Sequence, residues 1–421
     1  MEFDFPSVII DLNSSTTKAG ISTFDTPTLS LPSVYSKHSS SEDSPYVFGD
    51  NLDSHPANDI YTMFNEGLIY NWDAMTNYWR HIYSELHLKD TSELPLIITE
   101  NAWNTKKNRT KAVQVAFEEL EVPIFSILKR QICTAYSVSR PSAVVVVDID
   151  EDLVSVTPIS NGKVLNKGIQ RTKFGGDFLS LFSLDYIQKH YPEKDADIDE
   201  ALIPRQFKST SGMSESFKRY QISATLKEFR ESILSTSLMK IDPHQTEMPQ
   251  ETQIFLSHTA LGQMETKHFE LPNRETIKDI GIDQFKLADP LFRPYEYSKV
   301  LPQKLNLSQD SLGLANLVFN SMKNLGGSGD LYLKLLNNIV LTGSATNIPN
   351  IEQRLAQDLR MFIQDYSIAT FLSPDLIDRN NDVWIGANIL ASSSIGDFDN
   401  LFMSKEEYNE NGEDYALEKF K

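Results

Sequence analysis

VVVVDIDEDLVSVTPI, residues Val144–Ile159, sets an apolar run, four carboxylates within five residues and a second, alternating apolar run in direct succession. A continuous β-branched run reads as a strand buried on both faces, and the alternation after it as another strand. The acidic segment between them is then a tight turn, and it has no glycine. VIIDLNSSTTKAGI, Val8–Ile21, repeats the layout: apolar strand, aspartate at its end, short polar turn, alternating strand. Two such units far apart in one chain predict two lobes built on one plan.

Strands and helices alternate around these units. Strands are predicted at Ser7–Asp11, Thr17–Ser22, Leu94–Thr99, Pro123–Leu128, Ala143–Ile149, Leu153–Ile159 and Asn338–Thr342. Helices are predicted at Asn71–Leu86, Lys107–Leu120, Arg130–Ser137, Gly176–His190, Glu215–Thr236, Leu312–Asn324, Asn350–Asp358 and Asp382–Ser393. In the first helix Trp72, Met75, Trp79, Ile82, Tyr83 and Leu86 recur at three- and four-residue steps and form one apolar stripe. The alternation implies an α/β architecture. At 421 residues the chain exceeds the roughly 250–300 at which a single core stops growing, which again implies two lobes. Ser36–Pro45, Ser209–Glu215, Asp242–Gln253 and Gly326–Asp330 are polar, turn-rich loops.

The balance of 39 Lys+Arg against 58 Asp+Glu gives a net charge of -19. That sign repels a phosphate backbone, which argues against autonomous nucleic-acid binding. Cys133 is the single cysteine, so no intrachain disulfide forms, as suits a reducing compartment. The opening MEFDFPSVII carries acids and runs straight into a strand, unlike a signal peptide. No apolar run reaches the length of about 18 residues that a membrane span needs.

A strand–turn–strand unit can hold phosphate when backbone N–H groups point into the turn and a lysine stands near. Glycine favours such a turn by allowing positive φ and close approach, and a strand-end aspartate can hold magnesium through water. In the first unit Asp11, Ser14 and Lys18 have this chemistry, but Asn13 and Ser15 stand where glycine would help. In the second, Ile149, Asp150, Glu151 and Asp152 bring bulk and negative charge. A phosphate beside an unneutralised carboxylate is repelled by about 4 kcal/mol at an effective dielectric near 20, so tight ATP binding is disfavoured. The plain reading of Asp148–Asp152 is a solvated acidic tip facing water or a basic group such as Lys18. The alternative is a cation loop of Asp148, Asp150 and Asp152, without the glycine and final glutamate of a calcium loop. Gly-x-Ser-x-Gly, Gly-x-x-x-x-Gly-Lys-Ser/Thr and His-Glu-x-x-His motifs do not occur.

Longer stretches identify a family. GLIYNWDAMTNYWRHIYSELHL (Gly67–Leu88) and LPLIITENAWNTKKNRTKAVQVAFEEL (Leu94–Leu120) together resemble the helix, strand and helix of subdomain 1 in the actin family. FNSMKNLGGSGDLYLKLLNNIVLTGSATNIPNIEQRL (Phe319–Leu355) resembles the actin segment that ends in the adenosine loop. VWIGANILASSSI (Val383–Ile395) with MSKEEYNENG (Met403–Gly412) resembles the carboxyl-terminal actin signature. YVFGD (Tyr46–Asp50) follows the pattern too, whereas Lys37–Ser44 is a short remnant of the loop that makes filament contacts, so filament assembly is not expected.

The resemblance implies an α/β, actin-like fold of two ribonuclease-H-like lobes and four subdomains. Lobe one is 1–138 with 371–421, with 32–66 its small subdomain; lobe two is 139–370, with about 180–290 its outer subdomain. The resemblance carries the first phosphate loop onto Asp11–Lys18, with Asp11 on the magnesium side and Ser14 and Lys18 at the phosphates. It carries the second onto Asp148–Asp152, where Asp148 keeps the strand-end aspartate, and the adenosine loop onto Gly343–Pro349, where Ser344 replaces a glycine. Asn380 and Asn381 stand where an adenine-side lysine is expected. The hydrolytic glutamine falls on Gln131 counted from Asp148 and on Arg130 counted from Tyr136 and Arg140. One residue of helical register swings a side chain by about 100°. No useful ATPase activity and no resident cofactor are expected, with ATP and magnesium held weakly at most.

RTKFGGDFL (Arg171–Leu179), ELPLIIT and GLIYNWDAM are most similar to the fungal actin-related protein 7 subfamily, subunits of SWI/SNF and RSC chromatin remodellers. This resemblance implies a nuclear, non-catalytic scaffold. It would pair with a second actin-related protein, number 9, and bind the helicase/SANT-associated (HSA) helix of the remodeller ATPase subunit. DNA and nucleosome would be met only indirectly, and a membrane not at all. The groove for the partner helix is carried onto Tyr136, Ser137, Gly168, Ile169, Leu390 and Ile395. The alternatives are an actin-like nucleotide-binding protein or ATPase, and a subunit of another remodeller family or of a histone acetyltransferase assembly.

Overall fold

The computed structural model describes residues 6–38, 45–191, 197–207, 210–244, 266–301, 305–326, 329–393 and 401–420. The backbone runs β1 (Val8–Asp11), β2 (Thr16–Ile21), β3 (Leu29–Pro32), α1 (Trp72–Glu85), β4 (Leu96–Glu100), β5 (Ile124–Lys129) and α2 (Arg130–Ser137). It continues through β6 (Ala143–Ile149), β7 (Val154–Ser160), α3 (Gly176–His190), α4 (Glu215–Ile233), β8 (Ile339–Thr342), α5 (Leu376–Ser393) and β9 (Met403–Ser404). Two compact units result: Met1–Asp148, Thr157–Ile169 and Leu372–Lys421 form one, and Ile149–Val156 with Gln170–Phe371 the other.

In the first unit six strands make a sheet in the order β9–β5–β4–β1–β2–β3. β1 is antiparallel to β2, with Asp11 opposite Lys18, and parallel to β4, with Ile10 opposite Ile98. β4 is parallel to β5, with Thr99 opposite Leu128. Every residue of β1 and β4 is buried, because helices cover both faces and a two-sided strand has no polar alternation. On one face Met75, Trp79, Ile82 and Tyr83 of α1 join Val8, Ile10 and Ile98. On the other, Ile9 and Ile97 meet Cys133 of α2 and Trp384 and Ala387 of α5. The two-residue period of β1 assigns its side chains to these two cores.

α1 begins where its sequence says it should, with the Asn71 side chain accepting the Ala74 N–H at 3.1 Å. α5 begins earlier than the expected start at Asp382. Asp375 caps it, accepting the N–H groups of Ile377 at 2.7 Å and Asp378 at 3.4 Å. Its first turns are exposed, so the polar run Asp378–Asp382 concealed them. The helix predicted over Lys107–Leu120 is α-helical from Lys106 to Gln114 and continues as a π turn, Val115–Glu119.

In the second unit β7 pairs antiparallel with Gln170–Thr172, Val154 lying opposite Thr172. α3 packs on α4, burying Phe178, Leu179, Phe182, Leu226 and Phe229. Arg354, fully enclosed, donates to the Ser237 carbonyl at 2.6 Å and pairs with Asp289 at 3.1 Å and Asp358 at 2.9 Å. A buried guanidinium requires partners of this kind.

Candidate functional site

The first turn is organised around Asp11, which is buried. Its Oδ1 accepts the Thr99 hydroxyl at 2.8 Å and pairs with Nη1 of Arg130 at 2.5 Å. The same Arg130 nitrogen donates to the Leu12 carbonyl at 3.0 Å, and the Leu12 N–H donates to Thr99 Oγ1 at 2.9 Å. The parallel pairing of β1 with β4 brings Thr99 to Asp11. Arg130 arrives because α2 follows β5 without a linker. A protein cation thus lies on the carboxylate that the resemblance assigned to the magnesium side.

Of the two registers left open for the hydrolytic position, Arg130 faces Asp11. Gln131, one helical step away, is turned elsewhere: its Oε1 accepts the Ala102 N–H at 3.1 Å and its Nε2 donates to Asn101 Oδ1 at 3.2 Å. In the turn itself the Ser14 hydroxyl donates to Asn13 Oδ1 at 3.3 Å. Lys18 is half-buried on β2, opposite Asp11.

The second turn is not a solvated tip. Asp148, Asp150 and Glu151 are 6%, 8% and 6% exposed. The Asp150 N–H donates to the Leu153 carbonyl at 3.0 Å and closes the turn. The carbonyls of Asp150 and Glu151 accept the N–H groups of Gly176 at 3.0 Å and Asp177 at 2.8 Å, at the start of α3. The Glu151 carboxylate pairs with Arg230 at 2.5 Å and Lys227 at 3.5 Å, both on α4, and accepts the Ser344 hydroxyl at 2.8 Å. Burial alone would raise its pKa, but Arg230, Lys227 and these hydrogen bonds outweigh burial and hold it below the usual carboxylate value. The basic groups that meet Glu151 come from α4.

Glycine is required where this turn meets α3. A Cβ on Gly175 would overlap the Asp150 carbonyl oxygen, and one on Gly176 would overlap Glu151 Oε2 and stand 2.7 Å from Arg230 Nη1. Gly343 has φ +96°, a conformation open to glycine. It is followed by Ser344, whose N–H donates to Asp150 Oδ1 at 3.4 Å. The serine that replaces a glycine in the expected adenosine loop thus serves the acidic turn. Among the described residues no His, Cys, Asp and Glu side chains gather as a cation site.

Five of the residues assigned to a partner-helix groove are described, all in the first unit; Ile395 lies outside the described residues. Tyr136, in the last turn of α2, and Leu390, on α5, belong to one apolar cluster with Cys133 and Ala387. The Ser137 hydroxyl donates to the Thr134 carbonyl at 2.8 Å. Gly168 is buried and closes a 3-10 turn, Asn166–Gly168, with half-buried Ile169 directly after it. No helix among the described residues is long and apolar enough to cross a membrane.

Sequence reading missed Thr99, Lys227, Arg230 and Gly176. A signal for Arg230 existed: it lies within the buried stripe of α4, among Ile222, Leu226, Phe229 and Ile233. An arginine inside an apolar stripe announces a buried acid elsewhere in the chain.

Comparison with known proteins accords with this architecture. The chain is 29% identical over 437 residues to a Schizosaccharomyces pombe protein named "SWI/SNF and RSC complexes subunit arp42", covering 98% of each. It is 26% identical to "Actin-related protein 4" of Yarrowia lipolytica, covering 98% of this chain and 95% of that one. It is 27% identical to "Actin-related protein 7" of Saccharomyces cerevisiae, covering 95% of each. The sequence model of the family described as Actin matches residues 3–421, and the chain belongs to the actin family.

Proposed function

We propose that this protein is a nuclear, non-catalytic actin-related subunit of a SWI/SNF- or RSC-type chromatin-remodelling complex. The observation that carries the reading is the alignment over 98% of both chains with a relative named as a subunit of those complexes. In this reading it binds the HSA helix of the remodeller ATPase subunit beside a second actin-related protein, number 9. It helps couple that subunit's ATP hydrolysis to DNA movement and thereby regulates transcription. The apolar cluster holding Tyr136 and Leu390 supplies side chains of the kind that receive an amphipathic helix.

The side chains at the two turns do not fit a magnesium–phosphate group. Arg130 pairs with Asp11 where a hydrated cation would be held, and Glu151 brings a carboxylate to the second turn. This supports a subunit without its own ATPase chemistry, and no catalytic step is assigned to it.

Co-expression with the HSA segment of a remodeller ATPase and with the second actin-related protein tests the reading. Co-purification of all three is expected, and recovery of this chain alone would overturn it. The second reading, an actin-like ATPase or nucleotide-binding protein, draws on Asp11, Lys18, Asp148 and Gly343 being present. Stoichiometric ATP or ADP released on denaturing the purified complex would favour it.

A further inference from the structure

We infer that the start of α3, one face of α4 and the Gly343–Ser344 segment form a site for a single carboxylate, and that its resident ligand is the chain's own Glu151. Arg230 is 2% exposed and held from two sides, its Nε donating to the Ser180 hydroxyl at 2.9 Å and its Nη2 to Glu151 Oε2 at 2.5 Å. Lys227, three residues earlier on the same face of α4, reaches Oε1 at 3.5 Å. The Ser344 hydroxyl takes that same oxygen at 2.8 Å. Each carboxylate oxygen is thus met by a cation, and one of them by a hydroxyl as well. The first N–H groups of α3, where a free anion would bind, are directed to the turn's own carbonyls. Gly176 leaves the space in which the carboxylate lies, since any Cβ there would collide with it.

The surroundings also select the class of anion. Asp150 accepts the Ser344 N–H at 3.4 Å, and Asp152 and Asp177 lie near enough for their charges to act together. Arg230 and Lys227 each take one oxygen of a single carboxylate, and the negative charge already gathered by Asp150, Asp152 and Asp177 opposes a multiply charged phosphate. Occupancy by Glu151 lets this part of the second unit be ordered without a diffusible ligand. The inference holds whichever complex the protein joins.

Thermal unfolding of the full chain and its Glu151→Ala variant, in chloride and in acetate or formate at equal ionic strength, tests it. The variant is expected to unfold at lower temperature and to regain part of the loss saturably with acetate or formate, while the parent chain does not respond. Inorganic phosphate and ATP are expected to restore less. Equal responses of parent and variant, or restoration by phosphate above acetate, would overturn the assignment. If Glu151→Ala does not fold, Glu151→Gln is compared with the double variant Glu151→Gln, Arg230→Met. Removing the unpaired cation is expected to raise the unfolding temperature above that of the single variant, and a double variant no better than the single one would sink the proposal.

Discussion

Arg130 Nη1 lies 2.5 Å from Asp11 Oδ1, and each side chain is 6% exposed. A guanidinium at the head of α2 is thereby joined to the end of β1, the strand to which the resemblance assigned a magnesium-side aspartate.

Replacing Arg130 by glutamine leaves Asp11 buried without its cation, because Thr99 alone does not neutralise it. A loss of about 3–5 kcal/mol is expected, the usual cost of removing one partner of a buried pair. Urea unfolding of Arg130→Gln measures it. An unchanged midpoint and slope would show that the pair contributes nothing.

Ser344→Gly removes the hydroxyl donated to Glu151 at 2.8 Å and leaves Arg230 and Lys227 in place. Hydrogen bonds to charged groups contribute about 1.5–3 kcal/mol, so stability should fall within that range. In Glu151→Gln the same serine change should cost less. A double-mutant cycle reads the difference, and a zero coupling would separate the two residues.

Gly386 stands where α5 crosses α2, and a Cβ there would overlap the Cys133 carbonyl oxygen. Gly386→Ala must push the helices apart, at about 1–3 kcal/mol for overpacking. The buried Cys133 thiol, fully enclosed in the parent, should then react faster with a thiol reagent. A variant as stable and as unreactive as the parent would show that the crossing yields without cost.

The acidic turn gives stability a pH dependence of two signs. Glu151 has a lowered folded-state pKa, so its contribution is complete above the ordinary value of 4.5 and is lost as pH falls through the lower folded value. Asp177 is largely solvent-facing as a residue, but its carboxyl is desolvated against the turn and lies beside Glu151, which pushes it up to about 6. The native state therefore holds the Asp177 proton more tightly than the unfolded chain, and stability declines as pH rises from 3.8 towards that value. Urea titrations across this range should lose the acid limb in Glu151→Gln and the shallow decline in Asp177→Asn. Curves unchanged by either substitution would contradict both assignments.

Much of the fold was legible. β6, α2 and α3 occur over the residues predicted for them, because continuous β-branched runs and Gly-Gly-Asp starts are local signals. α5 was read too short, because its first turns are polar and exposed and only the Asp375 cap reveals them. The likeness of Val8–Ile21 to Val145–Ile159 marked two strand–turn–strand units that the structure forms, but not the partners of their carboxylates.

The sequence by itself determined the α/β alternation, the actin resemblance and the presence of carboxylates where phosphate-binding glycine would stand. These follow from periodicity and turn chemistry within short windows. The tertiary structure alone decided that Arg130 rather than Gln131 meets Asp11, since adjacent helical positions point about 100° apart. It alone decided that the acidic turn is buried and paired. The partners of Glu151 lie on α4 and after β8, and a carboxylate's surroundings are set by which distant elements pack against it.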